Sequence, residues 1–165
     1  MISTKLQEYL ENARVAYTRH VHSPAYTSQE IAGARHVPGR QMVKSVMLKV
    51  DEGPLVMAVL SANDTANLDA LRQEIGCQIL RLARENEFSD AFPTCSPGAM
   101  PPFGNIFDIA TYCEATLSRN RDIEFNAGTH DETIQLAFAD YERLANPKLV
   151  HFAQPYSEGV QRLAA

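Results

Sequence analysis

The sequence predicts an α+β domain built on a mixed, curved β-sheet, and three observations carry this reading. Candidate strands outnumber candidate helices. They fall into hairpins joined by turn residues, without the strand–helix–strand alternation of a parallel sheet. At 165 residues and 45% hydrophobic content, the chain supports one full core in a single domain over residues 1–165. There are no repeats, low-complexity runs or linkers.

Each element follows from local pattern. Ser3 or Thr4 can cap a first helix, on which Leu6, Tyr9, Leu10 and Ala13 recur at helical spacing. A short strand is expected over 16–20. Thr27 and Glu30 form a capping-box pair that opens a short helix through Ile31 and Ala32, ending near Gly33. His36-Val37-Pro38-Gly39-Arg40 reads as a loop. A strand over 42–50 ends at the turn Asp51-Glu52-Gly53-Pro54, and the apolar run over 55–60 returns beside it as a hairpin. Asn67 can cap a helix bearing Leu68, Leu71 and Ile75, which Gly76 stops. A strand over 78–82 and a helical turn over 84–91 follow. Strands are expected over 106–115, 122–126 and 133–138, the last two joined by a turn over 126–131. A short helix over 140–145 ends at Asn146-Pro147, and a last strand is expected over 148–152.

Composition excludes several classes. The net charge of −5 argues against a high-affinity, non-specific nucleic-acid binder, which would be basic. It leaves room for contact with one RNA end through a patch such as Arg35, His36, Arg40 and Lys44. No apolar run approaches the length of a membrane span, and residues 1–8 are too polar for a signal peptide, so a cytoplasmic protein is expected. Cys77, Cys95 and Cys113 are odd in number and widely spaced, which suits neither a disulfide framework nor a zinc site.

Three features point to chemistry. Strand side chains alternate faces, so Lys44 shares a face with Met42, Val46, Leu48 and Val50. A charge on an apolar face needs a partner or a pocket, or must snorkel to water. From Pro97 to Gly104, three prolines and two glycines fix a loop of defined shape. Pro101 and Pro102 lack an N–H, so Gly98, Ala99 and Met100 are the residues able to aim donors at a carbonyl oxygen or oxyanion. His130 follows Gly128 at a hairpin tip, where an imidazole can act near neutral pH. Two other arrangements are weaker. His20 and His22 share a strand face but lack a third ligand nearby, and Cys95 with His130 would be a thiol–base pair without a recognisable nucleophile motif.

Lys44 in a central strand, Gly98-Ala99-Met100-Pro101-Pro102-Phe103-Gly104, and Gly128-Thr129-His130 occur in that order. Together with the stretch from His22 to Ala32, they resemble the YbaK/prolyl-tRNA synthetase-associated editing domain family over roughly residues 5 to 152. The resemblance implies a curved, barrel-like sheet and a trans-editing deacylase needing no cofactor or metal. The reaction would be hydrolysis of the ester of mischarged aminoacyl-tRNA, chiefly tRNA for proline carrying alanine or cysteine. It implies that Lys44 is required, as a charged clamp or as a base, that Gly98 opens the carbonyl-binding loop, and that His130 shapes the pocket. Tyr26, Ser45, Met47, Ala99, Met100, Pro101, Gly128 and Thr129 would bind substrate. In alanine-clearing members asparagine follows the lysine; here Ser45 stands there, so the amino acid is open. The implied partner is the acceptor end of aminoacyl-tRNA, with no DNA and no membrane. The protein would act alone or beside a synthetase, as a monomer or homodimer. The rival readings are a non-catalytic editing-like binding module and a Cys95-dependent hydrolase.

Overall fold

The computed structural model describes residues 2–156. In chain order the elements are α1 (Thr4–Ala13), β1 (Tyr17–Val21), α2 (Ser28–Arg35), β2 (Met42–Val50), β3 (Leu55–Ser61), β4 (Asp64–Ala66), α3 (Leu68–Ile75), β5 (Leu80–Leu82), α4 (Glu85–Phe88), β6 (Ala110–Glu114), β7 (Asp122–Asn126), β8 (Glu132–Ala137), α5 (Phe138–Ala145), β9 (Lys148–Val150) and β10 (Ala153–Pro155). The main sheet runs β1-β8-β7-β2-β3-β6-β9, with β5 also on β2; β10 and β4 form a separate pair. Pairings β2–β7, β3–β6 and β6–β9 are parallel and the rest antiparallel, so the sheet is mixed as expected.

Alternation along β2 and β3 gives the sheet two apolar faces. Val43, Met47, Met57 and Val59 face one core, with Leu6, Leu10, Phe103, Phe125 and Tyr141. Leu48, Val56, Ala58 and Leu60 face the other, with Leu71 of α3 and Phe152. Below, these are the inner and outer faces. Helix α2 covers a third cluster through Ile31, Ala32 and Met42, which is again outer by its place in β2. Full burial of side chains such as Leu6 and Leu10 contributes about 1.5–3 kcal/mol each.

Most boundaries agree with the sequence reading, and the exceptions have physical causes. The Thr27–Glu30 capping box forms, but α2 continues past Gly33 to Arg35 and ends on His36 in left-handed conformation. Ser3 sits at the N-cap of α1 without capping it; its hydroxyl meets Thr94 instead. Strand β5 starts two residues late because Asp51 accepts the N–H groups of Gln78 and Ile79. The strand expected over 106–115 shrinks to β6, preceded by a 3₁₀ turn at Gly104–Phe107. There Ile109 N–H returns to the Gly104 carbonyl at 2.9 Å, and a Cβ on Gly104 would lie 2.5 Å from the Ile109 oxygen. The last strand splits into β9 and β10, since the buried Glu114 carboxylate takes the N–H groups of Phe152 and Ala153 at 2.7 and 2.6 Å.

Candidate functional site

The site begins with an opening in the sheet. On the side away from β3, β2 pairs with β7 at Met42 and Val43, and with β5 at Leu48, Lys49 and Val50. Between these two stretches, no strand among the described residues pairs with this edge of β2. A cavity of about 320 Å³ lies there, lined by Ser45, Met47, Phe88, Pro97, Gly98 and Met100. Ser45 is 5% exposed, and its Oγ has no hydrogen-bond partner among the described residues. A buried hydroxyl left in this way is destabilising unless something fills its bonding capacity.

The loop over 97–104 forms the opposing wall, and its shape is held at several points. Tyr141, fully buried, donates its hydroxyl to the Pro102 carbonyl at 3.0 Å. Burial holds that phenol well above its ordinary pKa, so it stays a donor. Phe103 packs edge-on against Tyr9, Phe125 and Tyr141. Ser96 N–H donates to the Gly128 carbonyl at 2.8 Å, tying the loop to the β7–β8 hairpin. Gly98 sits at φ 80°, a conformation that favours glycine. Of the three expected donors, Ala99 N–H goes to the Ser96 carbonyl at 3.0 Å, and Ala99 and Pro101 are buried in the loop. Gly98 and Met100 are the two that line the cavity.

His130 stands beside this wall. Its Nε2 lies 2.7 Å from the Pro97 carbonyl, so the ring donates there, and its Nδ1 is buried without a partner among the described residues. In the neutral ring, that bond leaves Nδ1 as an acceptor. Tyr26, 68% exposed, lies against the imidazole with ring centroids 4.9 Å apart. Gly128 at φ 124° permits the turn; a Cβ there would press on Ser3. Thr129 donates its hydroxyl to Asp131 at 2.7 Å.

The Lys44 side chain leaves β2 on the outer face, opposite Ser45. It is only 7% exposed, and its ammonium donates to the Tyr156 hydroxyl at 2.6 Å while lying 4.8 Å from that ring's centre. Thus Ser45, Met47, Gly98 and Met100 meet at one cavity, His130 and Tyr26 flank it through Pro97, and Lys44, next to Ser45 in the same stretch of β2, points to the opposite face and does not line it. Tyr156 was missed by sequence reasoning; a single aromatic after a short strand carries no local signal.

The other candidates go elsewhere. Arg35 is ion-paired with Glu124 at 2.6 Å, so the expected basic patch is partly neutralised. His20 meets Gln135 and His22 meets the Ser23 carbonyl. Cys95 is half-buried, and burial pushes its thiol up despite hydrogen bonds with Ser3 and Thr94. That disfavours the thiolate a nucleophile needs. No helix among the described residues is long and apolar enough to cross a membrane.

Comparison with known proteins bears on this geometry. Residues 22–144 match the family model described as the aminoacyl-tRNA editing domain. The multifunctional Ser/Thr-tRNA deacylase ProXp-y of Escherichia coli (strain K12) is 38% identical over 98 residues, covering 59% of this chain. The match spans 58% of that relative's length. Among solved structures, the hypothetical protein APE2540 superposes with TM-score 0.82 at 16% identity, covering 91% of this chain and 99% of that one. A candidate trans-editing enzyme for prolyl-tRNA synthetase superposes with TM-score 0.78 at 19% identity, covering 93% of this chain and 99% of that one. At such identities these two structures speak to the fold alone.

Proposed function

The chain belongs to the aminoacyl-tRNA editing domain family, and on that premise we propose that it is a deacylase that hydrolyses the ester of mischarged aminoacyl-tRNA, preferring a small amino acid with a hydroxyl group. One observation carries the preference: the buried Oγ of Ser45 at the cavity, which has no hydrogen-bond partner among the described residues. A site holding an unpaired polar group discriminates strongly in favour of a ligand that pairs with it. Alanine, implied by the family resemblance, would leave the hydroxyl unpaired, and cysteine would offer only a weak partner. Serine or threonine would satisfy it, in keeping with the activity named for the Escherichia coli relative.

In the proposed reaction, the acyl group enters the opening so that its carbonyl oxygen faces the N–H groups of Gly98 and Met100. A water oxygen bonds to the carbonyl carbon, and charge develops on the carbonyl oxygen. One well-placed donor is worth about 2.7–4 kcal/mol at this stage. The carbon–oxygen bond to the terminal ribose then breaks, and the ribose oxygen takes a proton, releasing amino acid and tRNA. The neighbouring ribose hydroxyl is the nearest proton relay that the substrate itself supplies. His130 Nδ1, beside the Pro97 wall and without a partner among the described residues, is assigned the role of acceptor for the α-ammonium group or the attacking water. Lys44, on the outer side of the opening, serves as a charged clamp on the terminal ribose and its phosphate. A partner phosphate favours the ammonium form, so the clamp is preferred to a base.

The test is a deacylation panel of seryl-, threonyl-, alanyl- and cysteinyl-tRNA with wild-type protein and Lys44→Ala. Rapid release of serine or threonine that the variant loses is the expected result. Binding of these tRNAs without turnover would instead establish the non-catalytic module.

A further inference from the structure

A second cavity, of about 430 Å³, lies at the end of the sheet where β2 begins and β3 ends; Arg40, Asn63, Asp64, Thr116, Arg119 and Asn120 line it. Its volume is within the range of small-ligand sites. Five other arginines, Arg19, Arg35, Arg72, Arg81 and Arg143, are ion-paired with carboxylates, whereas Arg14, Arg84 and Arg121, exposed elsewhere, join no ion pair among the described residues. Among the described residues, neither Arg40 nor Arg119 joins an ion pair, although both line this one polar hollow. The Asn120 amide donates to the Arg40 carbonyl at 2.9 Å, which fixes the two segments against each other. A planar guanidinium matches a phosphate with two parallel hydrogen bonds, and two without a carboxylate partner among the described residues line this one cavity, beside the Asp64 carboxyl, in a protein of net charge −5.

Strand pairing links one wall of the cavity to Lys44. Asp64 pairs in register with Pro155, and the next residue, Tyr156, holds the Lys44 ammonium. Asp64 works against an anion, but burial and the nearby Glu114 push its carboxyl up, with Lys44 pulling the other way. A carboxyl at this place also offers an acceptor for a ribose 2′-hydroxyl, the group that separates RNA from DNA.

We infer that this cavity seats an internal phosphate of the tRNA acceptor strand, gripped by Arg40 and Arg119, while the acylated terminal ribose lies at Lys44. The choice of RNA rests on the deacylase reading above. The strand would cross the outer side of the opening, from the two guanidiniums past Tyr156 to the ammonium. Tyr156 would offer its ring to a terminal base, since aromatic stacking is tolerant of sequence.

The experiment measures binding of a fluorescent, uncharged acceptor-stem RNA hairpin ending in CCA across a salt series. Wild type is compared with Arg40→Ala, Arg119→Ala and the double variant, with Arg72→Ala as an exposed-arginine control and thermal melts to confirm folding. The double variant is expected to bind roughly tenfold more weakly at low salt, and its log K against log salt slope is expected to flatten by about 0.7, the value for one lost phosphate contact. Deacylation of mischarged tRNA would suffer through KM rather than kcat. Equal affinity and equal slope in wild type and double variant would overturn the inference, even where the wild type deacylates. Arginine-dependent RNA binding by a wild type that hydrolyses nothing would uphold the cavity and overturn the deacylase reading.

Discussion

Replacing Ser45 with alanine should stabilise the empty protein while blunting its choice of substrate, a combination that few core substitutions produce. The hydroxyl is buried and has no partner among the described residues, and an unsatisfied buried polar group costs about 1–3 kcal/mol. The adjoining cavity of about 320 Å³ is large enough to admit water. The low end, about 1 kcal/mol, therefore applies, and Ser45→Ala should raise Tm by about 2–4 °C. With a seryl ester bound, the same hydroxyl would make one neutral hydrogen bond, worth about 0.5–1.5 kcal/mol net. Its loss lowers kcat/KM on the seryl ester by up to roughly tenfold. Alanyl ester should change little, so the seryl-to-alanyl ratio falls by nearly that factor. The assay is release of labelled amino acid from one tRNA charged in turn with serine, threonine or alanine, beside a thermal melt. A lowered Tm with an unchanged ratio would refute the reasoning, because it would mean that Ser45 is satisfied within the protein and does not read the substrate.

Four further outcomes follow from named contacts. Lys44→Ala should lower deacylation about 100-fold, as expected when the group that positions the ester is lost, while circular dichroism shows an intact fold; wild-type rates would remove Lys44 from the mechanism. Gly98→Ala places a side chain at φ 80°, costs about 1–2 kcal/mol and narrows the cavity, so Tm and activity should fall together. Cys95→Ser should keep kcat/KM within about twofold, given the raised thiol pKa; a large loss would favour the thiol enzyme. Glu114 carries a pH prediction. Burial raises its carboxyl, but hydrogen bonds from Phe152, Ala153, His151 and Thr116 bring it below its ordinary value of 4.5. A depressed carboxyl stabilises the fold above 4.5, and that contribution fades as pH falls through the lower folded value. Glu114→Ala should therefore destabilise the protein at neutral pH by about 1.5–3 kcal/mol, and its urea-unfolding gap from wild type should close below pH 4.5.

The parts of the fold legible in the sequence were those set by short-range rules. Thr27 with Glu30, Asn67 with Gly76, and the turn Asp51–Pro54 each declare an end in the few residues they occupy. What escaped was set by partners far away in sequence. Glu114 ends β9 through backbone groups 38 and 39 residues distant, and Asp51 delays β5 from 28 residues away. The same division holds at the site. Lys44, Gly98 and His130 stand out as residue types in unusual surroundings. The partner of each, Tyr156 for Lys44 and Pro97 for His130, is a product of packing. Period-two alternation already put Lys44 and Ser45 on opposite faces. That both fall in a stretch of β2 that no strand among the described residues pairs with on that side depends on β7 leaving β2 after Val43, which no local pattern encodes.

If Lys44 and Ser45 act as proposed, that opening lets adjacent residues meet two incompatible demands. A phosphate clamp needs a charged, wet surface, whereas selecting a side chain that differs from its competitor by one hydroxyl needs a dry, closely fitted wall. A continuous sheet separates its faces completely. A sheet parted for a few residues lets a narrow group pass while keeping each face's chemistry apart. On the proposed reading, the ribose and its phosphate stay with Lys44 on the outer face, and the aminoacyl group reaches through to Ser45 and Gly98 on the inner one. The ester bond then lies in the gap, where no strand among the described residues pairs with the β2 edge. Closing the gap by extending the β2–β7 pairing would abolish catalysis while leaving Lys44, Ser45 and His130 all in place. A disulfide joining β2 to the chain after Asn126 is a direct way to impose this. It should silence the oxidised protein, and reduction should restore activity; an oxidised form that stays active would show that the substrate does not pass through the sheet.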